Sequence, residues 1–379
     1  MTSIRLLAPT SDFGFALLRE EYKARPGQNV LVSPASVALC LGSALPGARG
    51  KTRAAILKTL RMPNYGDAKL INQSFGNLVR DLTGSALDVE LSLASAVWAR
   101  KGVKINADFL STNRSVFNSE VNVADFGARQ TVDDINGWCA KKTKNRITKI
   151  VDQLSPAAVL MLLQATYFKA PWTVTFDKKL TDLHDFSGIA GTNQVPLMFR
   201  GGDMLYAQAD DYQMVSLPFG KSGRVKMTFI LPDAGKDVGD VLDTLTGAGF
   251  ISSYRSLVSC DGHLWLPRYQ MEDDITLNQS LEKLGMGEAF SPQANFSGIH
   301  SSMFISEVKH KTFKKVTEEG AEAAAVTSIG FESTSFDPRK ISWNMRINRP
   351  FISVISDDHT NTILFASVVN DPQPVADDK

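Results

Sequence analysis

The chain has 379 residues, 43% of them hydrophobic and 21% charged, with a formal net charge of +1. That balance argues against nucleic acid or an anionic membrane surface as the main partner, and no apolar run reaches the ~20 residues a membrane helix needs. The cysteines, Cys40, Cys139 and Cys260, are odd in number and lack metal-ligand spacing, so buried free thiols are expected rather than a disulfide framework.

In chain order, the N-terminus lacks the basic, apolar, small-residue order of an export signal, which suits either an intracellular protein or the mature form of a secreted one. Thr10-Ser11-Asp12 offers a helix N-cap, with Phe13 and Leu17 on one face behind it. Residues 33–60 read as two helical segments broken at Pro46-Gly47. Residues 129–150 read as one amphipathic helix with Ile135, Trp138 and Cys139 on a common face. Lys141, Lys142, Lys144, Arg146 and Lys149 gather at its end, where the helix dipole favours cations, so a solvated helix end is expected there rather than a polyanion site.

From about residue 158 the pattern changes. Val159–Phe168, Met214–Leu217, Lys226–Leu231 and His263–Leu266 are short, apolar and bounded by turn residues, as buried strands are. Phe351–Ile355 and Thr362–Val369 read as a terminal strand pair joined by a turn at Asp357-Asp358-His359-Thr360-Asn361. No linker, repeat or low-complexity block divides the chain, so residues 1–379 are expected to form one α+β domain.

Signatures of catalysis are missing. There is no G-x-S-x-G elbow and no H-E-x-x-H helix, so neither catalytic residues nor a metal or cofactor are expected. Gly47-Ala48-Arg49-Gly50-Lys51-Thr52 nearly matches a phosphate-binding loop, but the position that motif reserves for its first glycine is Leu45. His310 follows the strand-like Met303–Val308 and reads as a satisfied structural histidine.

One segment fits none of these classes. Glu318-Glu319-Gly320 is followed by small residues, and no proline comes before Pro338. From Ala321 the alternate residues Ala321, Ala323, Ala325, Thr327, Ile329 and Phe331 are uncharged, whereas Glu322 and Glu332 fall on the other set. That is the period-two pattern of a strand with one buried face. Alanine and glutamate also favour helix, but Gly320, Gly330 and Val326-Thr327 weaken that alternative. The segment is expected to be an exposed loop able to become a strand.

Several segments resemble the serpin family. Asn29-Val30-Leu31-Val32-Ser33-Pro34-Ala35-Ser36 resembles its N-x-hydrophobic-hydrophobic-S-P-x-S segment, and Thr166-Tyr167-Phe168-Lys169-Ala170-Pro171-Trp172 its Y-F-K-G-x-W strand. Leu284-Gly285-Met286, Ala289-Phe290 and Asn295-Phe296-Ser297-Gly298-Ile299 resemble its L-G-M…A-F…D-F-S-G-I block. Glu318-Glu319-Gly320 is similar to its E-E-G, and Asn348-Arg349-Pro350-Phe351 to its N-x-P-F. Their order and spacing span nearly the whole chain.

The resemblance implies a serpin fold of three β-sheets with eight or nine α-helices and an exposed reactive-centre loop, here about 318–340. It implies a monomeric suicide-substrate inhibitor of serine endopeptidases, with cysteine endopeptidases as the secondary target class. The protease cleaves the loop and forms a covalent acyl complex, and the loop then inserts into the main sheet and traps it. A non-inhibitory carrier or chaperone is the alternative.

Residue by residue, the resemblance assigns a hinge to Glu318, Glu319, Gly320, Ala321, Ala323, Ala324 and Ala325. It assigns Ser33, Ser36 and His310 to the polar shutter beneath the strands that part. Gln164 stands where asparagine is usual, and Ala321 where threonine or serine is usual. Trp172 matches the site where the loop first inserts, and Arg268 a basic partner for Glu318. Counting from Gly320 places the scissile bond at Thr334-Ser335, which suits an elastase- or subtilisin-like protease. Counting back from Pro350 reaches Phe336 and Arg339 as alternatives.

Overall fold

The computed structural model describes residues 7–62, 67–84, 88–300, 303–321 and 343–375. The first half carries α1 (Leu7–Ala24), β1 (Val30–Val32), α2 (Pro34–Ala44), α3 (Gly50–Thr59), α4 (Ala68–Thr83), β2 (Glu90–Arg100), α5 (Ala107–Val116), β3 (Glu120–Ala124), α6 (Arg129–Lys142) and β4 (Leu160–Pro171). There follow β5 (Asp182–Gly188), β6 (Gly191–Gln208), β7 (Tyr212–Pro218), β8 (Val225–Pro232), α7 (Val238–Thr244), α8 (Gly247–Arg255), β9 (Val258–Pro267) and β10 (Tyr269–Thr276). The chain closes with α9 (Asn278–Leu281), α10 (Gly287–Phe290), β11 (Glu307–Val316), β12 (Gly320–Ala321), β13 (Trp343–Arg346), β14 (Phe351–Asp357) and β15 (Thr362–Val369).

The strands form two hydrogen-bonded networks. One has the order β10-β11-β12-β4-β2-β3, with β11 also paired to β4. The other runs β1-β15-β14-β8-β7-β6-β9-β13, with β5 on β6. The 18-residue β6 pairs with β5, β7 and β9, which fuses two of the three implied sheets into one network.

Strand β4 is buried on both faces of the six-stranded sheet, which explains its near-continuous apolar run. Leu160, Leu162, Phe168 and Ala170 join the main core. Met161, Leu163 and Ala165 join a second cluster with Ile135, Trp138 and Cys139 of α6. The alternation puts Gln164 and Thr166 on the main-core side, beneath the sheet.

Several expectations need correction. Helix α1 begins at Leu7, so Thr10, Ser11 and Asp12 lie inside it and do not cap it. Ser11 is buried and bonds the Asn361 carbonyl at 3.3 Å, and Asp12 accepts the Gly247 N–H at 2.7 Å. The helix expected over 129–150 stops at Lys142, because Lys144 and Asn145 take left-handed φ values of 51° and 62°. Its basic residues are largely solvent-facing, as expected, and three of them form surface ion pairs: Lys142 with Glu120, Lys144 with Glu90 and Lys149 with Asp152. Strand β2 lies within the half that reads as helical, and β11 runs through His310 rather than ending before it.

Cys40 and Cys139 are buried free thiols and Cys260 is a half-buried one. Burial pushes the first two up to about 11 and about 12. Among the described residues no helix is long and apolar enough to cross a membrane.

Candidate functional site

The site is the joint between β4 and β11, two parallel strands of the six-stranded sheet. Along most of it they bond directly, from Met161 opposite Glu307 to Tyr167 opposite Phe313. At the top they separate, and β12 lies between them. Ala321 pairs with Ala170 on one side and Val316 on the other, and Gly320 pairs with Pro171. Ala321 is only 1% exposed.

The turn leading into β12 is tightly held. Thr317 N–H donates to the Gly320 carbonyl at 2.9 Å, and Gly320 N–H returns to the Thr317 carbonyl at 3.2 Å. Gly320 has φ +150°, and a Cβ there would sit 2.1 Å from the Ala170 carbonyl oxygen. The position therefore needs glycine both for its backbone angle and for its clearance.

Trp172 closes the top of the joint. Its indole N–H donates to the Thr317 carbonyl at 2.9 Å, its backbone N–H donates to Glu319, and its ring stacks on Phe219 at 4.3 Å. The Glu318 carboxylate is buried, with Arg268 Nε at 3.3 Å and the Thr181 hydroxyl donating at 2.8 Å. Burial works against the Glu319 carboxylate, but Lys178 and Thr317 outweigh it and hold its pKa below the usual range.

Lower down, a polar cluster lies beneath the joint. Ser33 caps α2 with Pro34 in the first turn, which gives the S-P-x-S spacing its physical cause. The Ser33 hydroxyl accepts the Ser36 N–H at 3.4 Å and donates to the Leu364 carbonyl at 2.6 Å. The Ser33 N–H donates to His310 Nε2 at 2.9 Å, tying α2 to β11. Burial lowers the His310 pKa to about 3, so the ring is the neutral acceptor that this bond requires. The Ser36 hydroxyl, the Thr166 hydroxyl and His310 Nδ1 are buried without a hydrogen-bond partner, and the buried Gln164 amide has only the weak Cys40 thiol.

The structure thus brings two groups together. Glu318, Glu319, Gly320, Ala321, Trp172 and Arg268 meet at the top of the joint, and Ser33, Ser36, Gln164 and His310 meet beneath its middle. Ala323, Ala324, Ala325, Thr334, Ser335, Phe336 and Arg339 lie outside the described residues. Sequence reasoning missed Thr181, Lys178 and Phe219, which reach the hinge from elements remote in sequence. It also missed Lys314, whose place on the buried face was readable from its even spacing with His310 and Thr312. The Gly47–Thr52 segment is a turn into α3: the Thr52 hydroxyl is buried and accepts the Asn295 N–H at 2.7 Å.

The arrangement is a short strand started between two parallel strands, above a buried polar cluster. Comparisons with known proteins agree with that geometry. The family profile described as "Serpin (serine protease inhibitor)" matches residues 8–372. Plasma serine protease inhibitor of Mus musculus is 32% identical over 384 residues, covering 98% of this chain and 92% of that protein. An uncharacterized serpin-like protein of Thermococcus kodakarensis is 31% identical over 96% of this chain and 85% of its own length. Among solved structures, the thermophilic serpin tengpin in its native state superposes with TM-score 0.90 at 28% identity, covering 98% of this chain and 95% of that one. Human thyroxine-binding globulin shares the fold at TM-score 0.88 and 24% identity, covering 99% and 100% of the two chains. This chain belongs to the serpin family.

Proposed function

We propose that this chain is a suicide-substrate inhibitor of serine proteases, in which the cleaved loop after Ala321 inserts between β4 and β11 and traps the acyl-enzyme. The observation that carries this reading is β12. It is a strand already bonded on both sides at the top of a joint that is closed below it.

Register supports the same reading. Gln164 lies six residues before Ala170, and His310 six residues before Val316. An antiparallel strand continued from Ala321 would therefore set Thr327 opposite both at once. Gln164 and His310 already face each other across the closed joint, so the two edges stay in register as they part. By the period of two, such a strand would carry Thr327 on the inward face with Ala321, toward the unpartnered groups of the cluster. The small residues Ala321, Ala323 and Ala325 precede it on that face, and no proline interrupts the ladder.

Thr334-Ser335 is the proposed scissile bond, with an elastase- or subtilisin-like target, and Phe336 and Arg339 are the alternatives. Incubation with a protease panel, a denaturing gel and mass spectrometry test this. A covalent complex is expected, and the mass of the released C-terminal peptide names the bond. Cleavage by every active protease without any complex overturns the inhibitor reading and leaves the carrier or chaperone.

A further inference from the structure

Lys314 is 1% exposed and ranks among the largest fully buried side chains of the described residues. It lies on the inner face of β11, four residues beyond His310. Its Nζ is 2.8 Å from both Ser353 Oγ on β14 and Ser367 Oγ on β15. Those two serines are register partners, and their hydroxyl oxygens are 2.6 Å apart. The Tyr269 ring lies beneath the amine at 5.2 Å, and the Tyr269 hydroxyl reaches Ser353 at 3.4 Å.

The charged and titratable groups around it supply no counter-ion. From β10 come Tyr269, whose pKa burial raises, and Asp273. Asp273 is already taken by Arg25 at 2.7 and 3.0 Å and by the Leu31 N–H at 3.0 Å. From β11 itself comes neutral His310, while β14 and β15 contribute only the two serines, and β1 is Val30–Val32. An ammonium buried without an anion is strongly disfavoured. A neutral amine suits this triangle. One amine N–H donates to Ser353, the Ser353 hydroxyl to Ser367, and the Ser367 hydroxyl to the amine lone pair, which closes a ring of three hydrogen bonds. An ammonium could donate to both serines, but its charge would be met only by neutral hydroxyl dipoles, which do not repay its desolvation.

We propose that Lys314, Ser353 and Ser367 form a proton-operated bolt that ties β11 to the core strands β14 and β15, closed with a neutral amine and loosened on protonation. Strand β11 is one wall of the joint and leads directly into the hinge, so the bolt sets how firmly that wall is held. Nothing in the proposal requires that the protein inhibit a protease, so the two stand or fall separately.

Burial lowers the Lys314 pKa from 10.5 to about 7. The folded state therefore binds one proton fewer than the unfolded chain above about pH 7, and stability rises with pH from there toward 10.5. His310 acts in a separate window, between about 3 and 6.5. Cys40 and Cys139 oppose the trend only above the ordinary thiol value of 9.0.

Two measurements test this. In the full chain with 13C-labelled lysine, the Lys314 Cε signal, identified by its loss in Lys314→Met, is expected to titrate near neutrality; titration above pH 10 overturns the proposal. In urea unfolding between pH 7 and 9, the wild-type unfolding constant is expected to fall by close to tenfold per pH unit from Lys314 alone. Lys314→Met removes that component, as does Ser353→Asp, which supplies a counter-ion and keeps the lysine charged. An unchanged pH slope in either folded variant also overturns the proposal.

Discussion

His310 and Gln164 face each other at matched register where β11 meets β4, yet their side chains share no hydrogen bond. His310 spends Nε2 on the Ser33 N–H, and the Gln164 amide, at zero exposure, has only the weak Cys40 thiol to bond. The joint is thus held by main-chain bonds and by α2 from below, not by a side-chain bridge across it.

A buried polar group without a partner costs about 1–3 kcal/mol. Gln164→Leu, which removes a buried amide whose one partner is the weak Cys40 thiol, is therefore expected to stabilise the native state by about 1 kcal/mol. Urea unfolding checks this, and a loss of stability would show that the amide has a partner worth keeping.

Acid sensitivity follows from His310. Its folded pKa of about 3 lies below the ordinary 6.5, so protons favour the unfolded chain between those values. Stability is expected to fall as pH drops from about 6.5 toward 3, by at most roughly 5 kcal/mol from this group. Protonation also destroys the acceptor for the Ser33 N–H. His310→Gln should flatten the melting temperature over that range; an unchanged acid slope in the variant contradicts the assignment.

The hinge carries a second electrostatic contact. Glu318→Gln keeps an oxygen for Thr181 but turns a neutral amide toward Arg268. Arg268 is 27% exposed and partly solvated, so the expected loss is modest, about 1–2 kcal/mol, and reduced at high salt. Thermal melts at two ionic strengths decide it.

Gly320→Ala places a methyl group against the Ala170 carbonyl. The fold should survive, because β12 contributes only two residues to the sheet. The hinge should be expelled from the top of the joint, raising the moles of serpin consumed per protease trapped by several-fold. A variant with wild-type stoichiometry would show that β12 need not form before insertion.

These residues also show where sequence reasoning succeeds. Strands β4, β14 and β15 are legible because both of their faces are buried, so the apolar run is nearly continuous. Of the hinge only its first residues, through Ala321, are described, and there a short strand, Gly320–Ala321, does stand where the small-residue alternation begins. Strand β11 is harder, since lysines alternate with its buried residues and a lysine normally reads as solvent-facing; Lys314 breaks that expectation. Strand β2 hides behind its small and polar residues, Ser92, Ala94, Ser95 and Ala96. The early end of α6 depends on two left-handed residues, Lys144 and Asn145, neither of them glycine. Partners such as Thr181 and Phe219 are set by tertiary approach alone, and no local pattern announces them.

The most direct test of insertion compares melting before and after a single cut in the loop, with mass spectrometry locating the bond. If the cleaved loop becomes a strand between β4 and β11, the melting temperature should rise by at least ~10 °C, since a full added strand contributes many kcal/mol. A cleaved protein that melts at or below the temperature of the intact one contradicts insertion, and with it the proposed mechanism of inhibition.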